Sequence, residues 1–343
     1  MKPQTFIFVQ GYKSSSLFTG AIRPNRFKNF LIQRGHLVIE KEIILSLNFL
    51  SFIKLIISSF EFVNLSFKYN TVYLFCSGSP FMNFIFSFSK LFNKKIIVIL
   101  EYRDPWHGDV MRNTNILYNF LLKKIEIVFC SFANQIFCIS EEIKQANPYF
   151  KKYGGKKFKV ISTEFSSEEL DFFSHDKVLQ NSVGHFGNID RYMSIEKTRN
   201  LIDLNLKFNF KFWGTWDKDA YEIFNVKSKK NVSINDRESL HNSYKEMYKC
   251  QILLLMGSET SQRFHRKVLE YLFLNKPIIY FGSEESPTAK LLKEFSSKYV
   301  INPPRNFDIS KWKSHEDKDI QNKFIQQFDS KIIFKEMEKN ILL

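Results

Sequence analysis

A chain of 343 residues, 44% of them hydrophobic, is long for one domain and sufficient for two, each with its own core. Its formal net charge of +15 is uneven: residues 1–170 hold 22 Lys and Arg against 12 Asp and Glu, and residues 171–343 hold 28 against 23. The basic first half suits an anionic partner, whether a membrane surface, a phosphorylated lipid or a nucleic acid. The four cysteines form no CxxC pair, and Cys76 and Cys138 lie in or at the ends of apolar runs, so they read as buried, reduced thiols of a cytosolic protein rather than a disulfide frame or a zinc site.

Apolar runs alternate with helix-like segments along the chain. Thr5–Val9 (TFIFV) reads as a first strand, too short an apolar stretch for a signal peptide. A loop with Gly11 and Gly20 follows, then a helix over Asn25–Arg34 that ends at Gly35. His36–Glu40, Thr71–Cys76, Lys95–Leu100, Gln135–Ile139 and Lys159–Ser162 read as further strands. Strands separated by helices predict a parallel sheet with crossovers, a Rossmann-like domain. Within it, Leu45–Leu65 carries only Lys54 and Glu61 as charges, which predicts a helix either largely buried or lying on a membrane. Tyr69–Ser89 is uncharged over 21 residues, but Gly78, Pro80 and several serines favour strand, turn and helix over a membrane span.

The first domain is expected over residues 1–165. Residues 166–182 are polar and acidic, without a clear period, and read as a linker. A second α/β domain is expected over residues 183–325, with strands at Val183–Phe186, Phe208–Trp213, Gln251–Met256 and Pro277–Phe281 and a last short one at Val300-Ile301. Ile320–Leu342 reads as helical. There is no internal repeat and no low-complexity tract.

The loops after the strands carry the chemistry, because α/β domains bind ligands at the carboxyl ends of parallel strands. EYRDPWHGD, residues 101–109, follows the fourth strand; Asp104 and His107 are its polar candidates for contact with a sugar or an acceptor. The competing reading is a local Arg103–Asp104 salt bridge with Trp106 as packing. RFHRKVLEYLFLNKP, residues 263–277, brings Arg263, Arg266 and Lys267 to a helix start, a place to hold a nucleotide diphosphate, with Glu270 available for ribose hydroxyls. The competing reading is an amphipathic helix with a solvated basic face. The first loop lacks GxGxxG, so dinucleotide binding is unsupported. Asp217-Lys-Asp219 is formally DxD but too short to assign a metal, and none is assigned.

The order of these segments resembles the GT-B glycosyltransferases, especially the large retaining family that uses nucleotide-sugar donors. Residues 263–277 resemble its K-v-x-E-Y-l-a-x-g-k-P-i signature. GAIRPNRF…RGHLV resembles the family's opening, and residues 101–109 the D-x-R-D-P-W motif of a bacterial subset. FCIS with KVIS resembles the close of the first domain, although Thr163-Glu164 stand where n-G is usual. FWGTW and NVSINDRESLHNS resemble the segments beside the nucleotide base. The resemblance implies two Rossmann-like domains facing each other across a cleft, with a C-terminal helix, residues 326–343, crossing back to the first. It implies roles for Gly20 and Arg23 beneath the donor pyrophosphate, with a surface ion pair as the alternative for Arg23. It places Gly187 near the donor phosphate, Gly214 at the base, and Arg191, in preference to Lys197, with Lys267 against the leaving pyrophosphate. The family's first glutamate, eight residues before Glu270, is Gln262 here, which puts the sugar contact in doubt.

The expected activity is hexosyl transfer, with retention, from a nucleotide sugar to a surface-polysaccharide or lipid-linked acceptor (lipopolysaccharide or capsule). It requires no cofactor and no metal. The expected place is the cytoplasm, with peripheral contact at the inner face of the cell membrane. A catalytically idle GT-B partner subunit and a basic nucleic-acid-binding protein are the alternatives. The second is disfavoured because the aromatics lie in strands and are not interleaved with surface cations.

Overall fold

Parallel strands buried on both faces are built from continuous apolar runs, and such runs form the central ones of the twelve strands among the described residues. A computed structural model describes residues 3–10, 19–42, 49–103, 116–171, 177–190, 193–224, 230–257, 264–312 and 318–342. The chain divides into two compact units, residues 1–163 with 330–343, and residues 164–329.

The first unit begins β1 (Thr5–Gln10), α1 (Thr19–Gln33), β2 (Leu37–Glu42), α2 (Phe49–Ser66) and β3 (Val72–Ser77). It continues α3 (Pro80–Ser87), α4 (Ser89–Phe92), β4 (Ile96–Tyr102), α5 (Ile116–Phe132), β5 (Gln135–Cys138), α6 (Glu141–Ala146), α7 (Pro148–Tyr153) and β6 (Phe158–Val160). All pairings are parallel, in the order β2-β1-β3-β4-β5-β6. One face packs Leu55 and Phe62 of α2, Met82 and Phe86 of α3 and Phe129 of α5 on Ile7, Leu74 and Val98. The other face packs Phe27 and Leu31 of α1 on Phe6, Phe8 and Phe75.

The second unit runs α8 (Ser167–Asp171), β7 (Leu179–Phe186), α9 (Ile195–Leu204), β8 (Asn209–Trp213), α10 (Lys218–Phe224), β9 (Val232–Asn235) and α11 (Leu240–Lys249). It goes on through β10 (Cys250–Met256), α12 (Lys267–Phe273), β11 (Ile278–Phe281), α13 (Pro287–Phe295), β12 (Tyr299–Ile301) and α14 (Lys318–Phe328). Its sheet is parallel in the order β12-β11-β10-β7-β8-β9, the doubly wound order. The last helix, α15 (Ser330–Leu342), belongs to the first unit, where Ile333, Phe334, Met337 and Ile341 fill the α1 side of the core.

Several boundaries differ from the sequence reading. The polar stretch read as a linker holds α8, and β7 starts at Leu179, four residues before Val183. The C-terminal stretch read as one helix is two, broken at Asp329. There the backbone bridges to Phe165, and the carboxylate accepts from Ser167 Oγ at 2.5 Å. The edge strand β9, VSIN, has no fully buried residue and lacks the apolar run by which the central strands are recognised. Asp217, first of the formal DxD, caps α10: its Oδ1 accepts from the backbone N of Asp219 at 2.9 Å. The four cysteines are buried free thiols, and burial pushes the pKa of Cys138 up to about 12. Among the described residues no helix is long and apolar enough to cross a membrane.

Candidate active site

In the second unit the strand order reverses between β7 and β10, and such a switch point is where a doubly wound sheet opens a crevice at its carboxyl end. Gly187 follows the end of β7 and Gly214 the end of its neighbour β8, and the two turns touch. Gly187 N donates to Trp213 O at 2.9 Å, and a Cβ on Gly214 would land on the Gly187 carbonyl. Gly214 also has φ +145, a region that L side chains rarely adopt. On the β10 side, Ser194 donates from both N, at 3.0 Å, and Oγ, at 3.1 Å, to Gly257 O. The loop after β7 is thereby tied to the loop after β10.

Helix α12 is fixed to this point by Tyr271. Its buried hydroxyl accepts from Phe186 N at 3.1 Å and donates to Leu254 O at 3.3 Å, bridging β7 and β10. His185 lies beside it, fully buried. Its Nδ1 must carry the proton to bond Leu254 O at 3.1 Å, and its Nε2 lies without a satisfied hydrogen bond, close to where a Gly187 Cβ would be. Burial, more than its backbone partners offset, lowers its pKa to about 4, so the ring is neutral at physiological pH.

Arg266 opens α12 between two buried carboxylates. Its Nη1 is 3.3 Å from Glu270 Oε1, and its Nη2 is 3.8 Å from Glu164 Oε1 and donates to Glu164 O at 3.2 Å. Neither Glu270 oxygen has a hydrogen bond, which is uncommon for a buried carboxylate. Lys267 follows, with Nζ 5.6 Å from the ring centroid of Tyr244.

In the first unit the polar groups at the carboxyl end of the sheet form one network. Glu101, ending β4, binds Arg23 Nε at 2.7 Å and Arg103 Nε at 3.3 Å, and accepts from Ser77 Oγ, ending β3, at 2.6 Å. Arg103 Nη2 donates to Ser77 Oγ at 2.8 Å. Arg23 reaches on to Ser162 O at 2.8 Å. Arg23 is therefore no surface cation: it is 2% exposed, with its guanidinium occupied inside the unit.

Of the residues singled out in sequence, Gly187 and Gly214 meet at one turn pair, and Lys267 and Glu270 share α12 beside it. Gly20 lies in the first turn of α1, and Arg23 one turn on. Asp104, His107, Arg191 and Arg263 lie outside the described residues. Among the described residues no cluster of three His, Cys, Asp or Glu could hold a metal ion.

No family model matches the sequence, and no curated protein does. Solved structures match over nearly their full length. An α-glucosyltransferase in complex with UDP and DNA shares 13% identity at TM-score 0.60, covering 99% of each chain. A glycosyltransferase involved in avilamycin A biosynthesis shares 9% at TM-score 0.59, covering 99% of this chain and 97% of the other. A UDP-GlcNAc 2-epimerase from Neisseria meningitidis, bound to UDP-GlcNAc, shares 14% at TM-score 0.57, covering 98% and 99%. The chain has the GT-B fold. The fold's neighbours thus include sugar transferases and a sugar-nucleotide epimerase, and likeness at such identities speaks for the architecture alone.

Within this GT-B chain, four site residues escaped the sequence reading: His185, Tyr271, Glu101 and Glu164. Each is polar inside an apolar run or at its end, as in SVGHFG and VILEY. That pattern is a usable signal, because a charge or imidazole at the carboxyl end of a central strand needs a partner.

Proposed function

We propose that this GT-B protein transfers a sugar from a nucleotide-sugar donor to a glycan or lipid-linked acceptor. The observation that carries the reading is the pair of abutting glycine turns, Gly187 and Gly214, at the β7/β10 switch point, with Lys267 and the buried carboxylate of Glu270, ion-paired to Arg266 but without a hydrogen bond, on the helix pinned there by Tyr271. Close backbone approach suits a pyrophosphate, and a carboxylate lacking a hydrogen bond suits ribose hydroxyls.

Departure of the nucleoside diphosphate leaves negative charge on its terminal phosphate. Lys267 and Arg191 would stabilise that charge, with Arg263 as a further cation of the same stretch. Under retention the leaving phosphate takes the acceptor's proton, so no dedicated base is needed. Under inversion the base falls to Asp104 or His107. No metal or cofactor enters this scheme. The acceptor is read as a growing polysaccharide or lipid-linked oligosaccharide at the cytoplasmic face of a membrane.

A second reading, epimerisation of the donor sugar, is favoured by the likeness to the 2-epimerases and would use the same donor site without an acceptor. Thermal-shift screening against UDP-, GDP-, ADP- and CMP-sugars tests the shared part. A donor at about 100 times its Kd stabilises by about 2.7 kcal/mol. Stabilisation lost in Lys267→Ala and Glu270→Ala is expected. Mass spectrometry and proton NMR then separate the readings: a mass gain on an added acceptor indicates transfer, and new anomeric and ring-proton couplings in the donor sugar at unchanged mass indicate epimerisation. Silence with every donor would leave a GT-B homologue without catalysis.

A further inference from the structure

The first unit exposes an apolar helix start that the core does not use. α5 has its buried residues at Leu122, Ile125, Glu126, Phe129 and Cys130. The turn and a half before them projects past the core: Ile116 is 90% exposed, Leu117 77%, Phe120 57% and Leu121 49%. Contiguous exposed apolar surface of this kind marks an interaction site in a soluble domain. Because α5 follows β4 in a parallel sheet, its start stands at the carboxyl end of the strands, the end that also carries Glu101 and Arg103.

The charges beside this surface have one sign. Lys123 and Lys124 are exposed on the next turn. Lys124 folds back, with Nζ 5.2 Å from the ring centroid of Phe120, its stem along apolar surface and its ammonium outward. The one carboxylate on α5, Glu126, is buried and accepts from Tyr102 OH at 3.0 Å.

We infer that the start of α5 docks on an anionic lipid bilayer. An apolar wedge with adjacent lysines and no exposed acid on its helix fits the boundary between headgroups and acyl chains. The docking extends the reading of a lipid-borne acceptor and rests on it for its purpose. It places apolar surface at the sheet end where an acceptor would arrive.

The test is flotation with vesicles of phosphatidylcholine alone and of phosphatidylcholine with phosphatidylglycerol, at low and high salt. The full chain should float with the anionic vesicles at low salt. Leu117→Glu/Phe120→Glu and Lys123→Glu/Lys124→Glu should each weaken that partition by about tenfold or more. Both pairs are exposed, so melting temperatures should match the parent chain, and any thermal shift with nucleotide sugars should be retained. The second property separates failure of the docking from failure of the donor site. Absence of wild-type flotation, or variants that float as well as the parent, would overturn the inference. So would a dimer in light scattering that Leu117→Glu/Phe120→Glu dissolves without any vesicle binding, since the face would then serve a second copy.

Discussion

Arg23 on α1 and Glu101 at the end of β4 form a buried ion pair 2.7 Å long, with side-chain exposures of 2% and 0%. Arg23 also donates to Ser162 O, and Glu101 accepts from Ser77, so the pair joins a helix, two strand ends and the chain beyond β6. Removing one member leaves the other charged and buried. Arg23→Met is therefore expected to cost up to about 3–5 kcal/mol, with Arg103 still 3.3 Å from Glu101, whereas Arg23→Met combined with Glu101→Leu should cost less than the sum of the two single changes. Denaturant melts of the four proteins check this. Additive losses would show that the two side chains do not act as a pair.

Gly214 and Gly35 both have positive φ, but they stand in different surroundings. A Cβ on Gly35 meets nothing within 4 Å, so Gly35→Ala should cost only about 1 kcal/mol, from conformation alone. A Cβ on Gly214 lands on the Gly187 carbonyl, and that backbone cannot rotate away as a side chain could. Gly214→Ala should cost more than Gly35→Ala and should also abolish the thermal response to nucleotide sugars, which Gly35→Ala leaves intact. Calorimetric melts with and without donor distinguish them. An unchanged donor response in Gly214→Ala would remove the glycine pair from the proposed site.

The parallel strands were legible because TFIFV, TVYLFC, KIIVIL and QILLLM are apolar without interruption, as strands covered on both faces must be. β9 was not legible as a strand, since an edge strand needs apolar side chains on fewer sides and VSIN keeps only half of them. The break at Asp329 was hidden for a different reason. It is imposed by contacts with Phe165 and Ser167, more than 160 residues away, while the local pattern continues as helix. Gly187 and Gly214 were reachable through the resemblance to GT-B segments, and Glu270 through that resemblance and the basic helix start before it. The Arg23–Glu101 pair could not, because nothing local says that a helix arginine turns inward 78 positions from its partner.

His185 sets an acid limit on the second unit. Its folded pKa of about 4 lies below the ordinary histidine value of 6.5, so the unfolded chain binds the proton first as pH falls. Stability is thus full above about pH 6.5, declines between 6.5 and 4, and levels below that, for a total on the order of 3 kcal/mol from this group. His185→Gln should flatten that part of the profile, whatever its effect at neutral pH. Denaturant midpoints of both proteins at a series of pH values decide it. A parallel decline in the variant would assign the loss to other groups.

Arg266 and Glu270 should differ in what their loss does. Arg266 faces two buried carboxylates, Glu270 at 3.3 Å and Glu164 at 3.8 Å, so Arg266→Met takes the cation from Glu270 and weakens the surroundings of Glu164, and is expected to cost about 3–5 kcal/mol. Glu270→Gln keeps the shape, removes one buried charge that has no hydrogen bond, and leaves Arg266 with Glu164; its effect on stability should be within about 1 kcal/mol. If Glu270 holds ribose hydroxyls, the same change should weaken donor binding by about tenfold, the loss of one charge-assisted hydrogen bond. Isothermal titration with the donor found by screening, set beside the two melts, reads both quantities. A Glu270→Gln protein that is less stable yet binds donor normally would make the Arg266 cluster a purely structural clasp.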